Sequence, residues 1–190
     1  RRSIIWADQR SQAQCNWITE RIGAARLIER TSNPALTGFS APKLLWVRDN
    51  EPEVFARARK FLLPKDYIRH RLTGEYATEV SDASGTSLFD VQGRDWAWDV
   101  VDDLGLDRGL LPKVYESPEV SGRLTRRAAE ETGLPEGLPV VGGGGDQAAG
   151  AVGNGIVETG IVSSTIGTSG VVFAFTDEPR RDDRGRLQTF

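Results

Sequence analysis

The stretch VVGGGGDQAAGA, residues 140–151, constrains the fold more than any other part of the chain. Two β-branched residues read as the end of a strand. Four glycines follow, each costly to order because of its backbone freedom. Asp146 then heads an alanine-rich run that reads as a short helix. A strand passing through a glycine turn into a helix is the connecting unit of α/β proteins. One or two glycines suffice for such a turn, so four imply a backbone that something must approach closely.

Asp146 admits three readings. Gly143, Gly145 and Ala148 fit a loose G-x-G-x-x-A dinucleotide turn. Against it, Asp146 would put a carboxylate where a pyrophosphate needs amide donors. The acidic ribose ligand expected about 20 residues further on is also replaced by residues 162–166, VSSTI. A second reading makes Asp146 a helix cap that accepts from the Ala148 or Ala149 amide. A third makes it a reactive carboxylate, with the glycines admitting a ligand. No G-x-x-x-x-G-K-[ST] occurs, so a P-loop is excluded.

Along the chain, residues 3–6 read as a short buried strand and residues 8–23 as a helix with Ala13, Trp17, Ile18 and Ile22 on one face. Residues 43–49 and a segment opening at Pro52 are helical, proline being suited to a first turn. Residues 61–63 suggest a strand, residues 65–72 a helix stopped by Gly74, and residues 77–91 an extended run. Helices over residues 96–104 and 125–132, and strands over 119–124 and 138–141, lead to the glycine run. Residues 161–175 read as a hairpin around GTSG. The alternation predicts an α/β fold.

Charge and cysteine usage narrow the class. With 24 basic and 27 acidic side chains the net charge is −3, which gives no electrostatic case for nucleic acid or an anionic membrane. Cys15 and His70 are the only residues of their types, so neither an internal disulfide nor a multi-ligand zinc site is available, no metal ligand is assigned, and a cytoplasmic protein is expected. The apolar-leaning residues 138–175 are broken by Asp146, Glu158 and many glycines, unlike a membrane span. The chain opens RRSIIWADQR and contains no methionine, so a piece of a longer protein is expected. An open edge at residues 4–6 would invite pairing between chains, making a homodimer a partner to test.

A second glycine-hydroxyl segment, STIGTSG at residues 164–170, places amides and hydroxyls at a hairpin tip about twenty residues beyond Asp146. Taken alone it is a turn. Together, GFSAPKLLWVRDN (residues 38–50), GGGDQAAGAVG (143–153) and STIGTSG resemble the first signature, catalytic segment and second phosphate loop of the FGGY carbohydrate kinases. WADQR (6–10) and residues 62–91 are similar to the family's xylulose-phosphorylating bacterial members.

The resemblance implies a ribonuclease H-like fold of the actin/hexokinase/heat-shock ATPase superfamily. Residues 1–153 would be the later part of the sugar-binding domain, and 154–190 the opening hairpin of the ATP-binding domain. It implies ATP-dependent phosphorylation of a ketopentose, D-xylulose first, to the 5-phosphate, with ATP and Mg2+. By motif position, Asp146 corresponds to the general base, Gln147 and Asp8 to substrate-binding residues, and Gly167, Thr168 and Ser169 to the phosphate loop. The glycines before Asp146 would let sugar and phosphate approach the backbone. Gln147 departs from the asparagine of many xylulose-specific members and matches glycerol-specific ones. Another polyol or ketose kinase (glycerol, ribulose) and a non-catalytic nucleotide-binding module are the alternatives. The family's first phosphate loop, Met-His-Gly segment and adenosine site are expected outside these residues.

Overall fold

The computed structural model describes residues 3–167 and 170–190. Helix α1 (Gln12–Ile22) turns Gln14, Cys15, Ile18 and Ile22 inward, the spacing that sets one helical face against a core. Gly23, at φ 89°, ends it and lets α2 (Ala24–Thr31) begin at once. Helix α3 (Ser40–Asn50) buries Ala41, Pro42 and Leu45, and α4 (Pro52–Arg57) starts on its proline. In α5 (Pro64–Thr73) the Asp66 carboxylate accepts the Leu63 amide, and Gly74 in the left-handed region stops the helix.

The chain then forms β1 (Ala77–Glu79), α6 (Val80–Ala83), β2 (Phe89–Asp90), β3 (Asp95–Trp96), α7 (Trp98–Asp103), β4 (Lys113–Tyr115) and β5 (Val120–Arg123). It continues through α8 (Arg126–Thr132), β6 (Pro139–Val141), α9 (Asp146–Gly153), β7 (Val162–Ile166) and β8 (Gly170–Ala174). Among the described residues the strands pair two by two. β1 runs parallel to β4 with Ala77 opposite Lys113, while β2–β3, β5–β6 and β7–β8 are antiparallel. In the last hairpin Val162 faces Ala174.

One apolar core joins α1, α2, α3 and α7 to the β2–β3 ribbon. Ile18, Leu27, Leu45, Leu88, Phe89 and Val100 are all but fully buried in it. Phe89 meets Trp96 edge-on at 5.8 Å, the geometry that ring quadrupoles favour. The Trp96 indole N–H donates to the Pro112 carbonyl at 2.8 Å. On the surface Arg30 bridges Asp90 and Asp99, and Arg26 bridges Asp99 and Asp103, tying α2 to β2 and α7.

Four sequence expectations are corrected. On α1, Ile18 and Ile22 face inward as expected, but Ala13 and Trp17 are exposed and Gln14 and Cys15 are buried instead. Residues 3–6 form no strand: the chain turns at Trp6, the Asp8 amide donates to the Ile5 carbonyl, and Ile5 and Trp6 are exposed. Residues 61–63 make one strand-like contact, Phe61 N–H to Leu110 O, without joining a sheet. The extended reading of residues 77–91 fails after Glu79, whose side chain accepts the Ser81 and Asp82 amides and so starts α6.

Candidate active site

The glycine run leaves β6 and reaches α9 across the surface of α6, and the structure requires glycine at two of its four positions. A Cβ on Gly142 would lie 2.6 Å from the Glu116 carbonyl oxygen and 3.1 Å from Glu79 Cβ. Gly143 sits at φ +85°, where L side chains are strained. At Gly144 and Gly145 a Cβ would meet Ala149 Cβ at 3.6 Å and the Asp82 backbone at 3.5 Å, ordinary contacts. At Gly142 the close approach is made by the protein's own backbone, while Gly144 and Gly145 leave room for a Cβ.

Under the run lies a cluster of charges drawn from elements far apart in sequence. Arg69 donates to Asp66 at 2.7 Å and also to the carbonyls of Gly142 and Ala77, pinning the run to α5 and β1. Lys65 Nζ lies 3.0 Å from Asp66, 3.4 Å from Glu79 and 3.6 Å from Asp82. Glu79 is fully buried, and Ser117 Oγ donates to it at 3.0 Å. Burial pushes the Asp82 carboxyl above its ordinary range, Lys65 pulls it back, and Asp66 and Glu79 add to the rise.

Asp146 is exposed at the first helical position of α9, with Gly145 at the cap position. Its carboxylate accepts the amide of its neighbour Gln147 at 2.9 Å and does not make the cap bonds to Ala148 or Ala149 that the capping reading required. Asp146 and Gln147 line a cleft with Ser81, Asp82, Gly85 and Phe190. The cleft measures about 60 Å³ and is open to solvent. Phe190 is brought there because Asn33 and Thr189 exchange two hydrogen bonds, at 2.8 and 2.9 Å.

Of the other candidates, Asp8 and Gly167 lie apart from that cleft. Asp8 is not among its lining residues. Its carboxylate is held 2.8 Å from Arg10, whose hydrogen bonds keep it below its usual range, and Arg10 in turn lies over the Trp46 ring at 5.1 Å. Gly167 ends β7 on an exposed turn, and Thr168 and Ser169 lie outside the described residues. Sequence reasoning gave no site role to Ser81, Glu79 or Asp82. Glutamate is not among the usual helix-cap residues, so the sequence carried no cap signal at Glu79 inside a run that looked extended.

The model of the N-terminal domain of the FGGY family of carbohydrate kinases matches residues 1–153. The chain belongs to this family. It is 42% identical over 190 residues to a xylulose kinase from Bacillus subtilis (strain 168), covering 100% of this chain and 38% of that protein. A xylulose kinase from Escherichia coli (strain K12) is 45% identical over 177 residues, which are 93% of this chain and 36% of that one. The crystal structure of a xyloylose kinase from Brucella ovis superposes with a TM-score of 0.87 at 40% identity, over 94% of this chain and 36% of that one. The chain thus spans well under half the length of the relatives it matches. Its fold is the actin/hexokinase-like ATPase fold of the FGGY kinases.

Proposed function

We propose that this FGGY chain is the sugar-side part of a two-domain kinase that transfers the γ-phosphoryl group of ATP to the 5-hydroxyl of D-xylulose. Residues 1–153 would complete the sugar-binding domain and 154–190 would open the ATP-binding domain. The observation that carries the reading is the Asp146 carboxylate. It stands exposed at the mouth of a cleft, with its neighbour's amide as its one hydrogen-bond partner among the described residues. The names of the relatives, matched over nearly the whole chain, support xylulose as the acceptor.

In the proposed reaction the sugar oxygen bonds to the γ-phosphorus as the bond from that phosphorus to the β–γ bridging oxygen breaks, releasing ADP. The hydroxyl proton passes to Asp146. Such a transition state is loose, so the carboxylate chiefly orients the hydroxyl and takes its proton late. Gln147, beside Asp146 on the cleft wall, would hold a neighbouring sugar hydroxyl. By motif position Gly167, Thr168 and Ser169 would bind phosphate, and Asp8 would serve the sugar from a separate segment. Mg2+ bound with ATP would neutralise developing phosphate charge. Among the described residues no cluster of three metal-ligating side chains occurs.

The test is a substrate panel on the full-length protein with ATP. D-xylulose should show the highest kcat/KM among xylulose, ribulose, glycerol and gluconate. Glycerol turned over far better than every ketose, as Gln147 alone would suggest, would overturn the xylulose assignment.

A further inference from the structure

We propose that Ser81 is a positioning residue for phosphoryl transfer, holding Asp146 in register through the backbone of Gly145; this rests on Asp146 being the base. The Gly145 amide donates to Ser81 Oγ at 2.9 Å. Ser81 Oγ in turn lies 3.0 and 2.9 Å from the two carboxylate oxygens of Glu79. A serine hydroxyl has a single proton. Gly145 N–H can only donate, so that proton goes to Glu79 and a lone pair faces Gly145. The direction of the chain of bonds follows from the chemistry of its members.

Glu79 is a fixed anchor for this arrangement. It is fully buried, accepts the Ser81 and Asp82 amides at 2.8 Å each, accepts Ser117 Oγ, and faces Lys65 at 3.4 Å. A hydroxyl that donates to a carboxylate is a stronger acceptor in its turn. Gly145 needs such an acceptor, since it has no side chain for packing to lock and follows three other glycines. Its amide is held by Ser81, and its carbonyl accepts the Ala149 amide at 2.9 Å. With both peptide groups of Gly145 tied, the Cα of Asp146 is placed. Without Ser81 only the helix side of that restraint remains.

A displacement of the base by an ångström or less is enough to slow the transfer, because the reacting geometry is narrow. In the full-length kinase, Ser81→Ala should lower kcat by roughly 10- to 100-fold. KM for ATP and xylulose should change little, as expected of an interaction used in the transition state, while the hydrogen bond lost to buried Glu79 lowers the melting temperature modestly. Ser81→Thr, which keeps the hydroxyl, should restore most of kcat. In an Asp146→Asn background Ser81→Ala should cost nothing further, since the two act as a unit. Wild-type kcat in Ser81→Ala, no rescue by Ser81→Thr, or a full additional loss in the Asn background would each overturn the assignment of Ser81. Asp146→Asn crippled with Ser81→Ala normal would overturn this inference alone. Full turnover in Asp146→Asn would overturn the base assignment and this inference with it.

Discussion

Substituting the glycines before Asp146 one at a time by alanine separates packing from ligand access. At Gly142 the new methyl would sit 2.6 Å from the Glu116 carbonyl oxygen and 3.3 Å from that of Ser117. Relief requires moving residues 116–119 away. That strains two backbone bonds, Gly142 N–H to Glu119 O at 2.8 Å and Gly143 N–H to Ser117 O at 3.0 Å. Overpacking of this kind costs about 1–3 kcal/mol, and a weakened hydrogen bond adds about 1 kcal/mol. Gly142→Ala should therefore lose about 3 kcal/mol, roughly 6–12 °C in melting temperature for a domain of this size. Gly143→Ala should lose roughly 1–2 kcal/mol from its left-handed backbone. Gly145 lies at φ −61° with ordinary contact distances, so its alanine variant should be neutral or gain up to about 1 kcal/mol from a less flexible unfolded chain. Urea and thermal unfolding of the full-length variants supply the ranking. Gly142→Ala melting like wild type while Gly145→Ala loses most stability would refute the packing account.

Asp82→Asn should stabilise the protein at pH 7. Its folded pKa is raised, so ionisation destabilises the native state progressively above the unfolded pKa, and the gain should fade as pH drops below about 4; melting curves across pH 3–8 check it. Asp66→Ala leaves Arg69 buried without its carboxylate and should cost about 3–5 kcal/mol by chemical denaturation. Cys15 is buried and its thiol is pushed up to about 11, so thiol reagents at pH 7.5 should label it slowly in the native protein and quickly in urea.

Elements carried by local pattern were legible before the structure. The helix at α1, the proline start of α4, the Gly74 stop of α5 and the β7–β8 hairpin all follow from residues within a few positions of one another. Other features depend on burial and pairing that a local pattern does not show. β1 exists because Ala77 pairs with Lys113, thirty-six positions away. Val80 follows Glu79 into a helix because a buried carboxylate caps it. At the site, Asp146 stood out through the glycines before it. The partners that explain those glycines, Glu116, Arg69, Ser81 and Asp82, come from segments no spacing rule connects to residue 146.

Asp146→Asn in the full-length kinase, assayed with ATP and D-xylulose, tests the central claim most directly. Asparagine keeps the size of the side chain and can still accept the Gln147 amide, but it cannot take a proton from the sugar hydroxyl. Turnover should fall by roughly 10²–10⁴-fold, the loss typical of a missing general base. The melting temperature and sugar binding should stay at wild-type values. Turnover near wild type in Asp146→Asn would contradict the account.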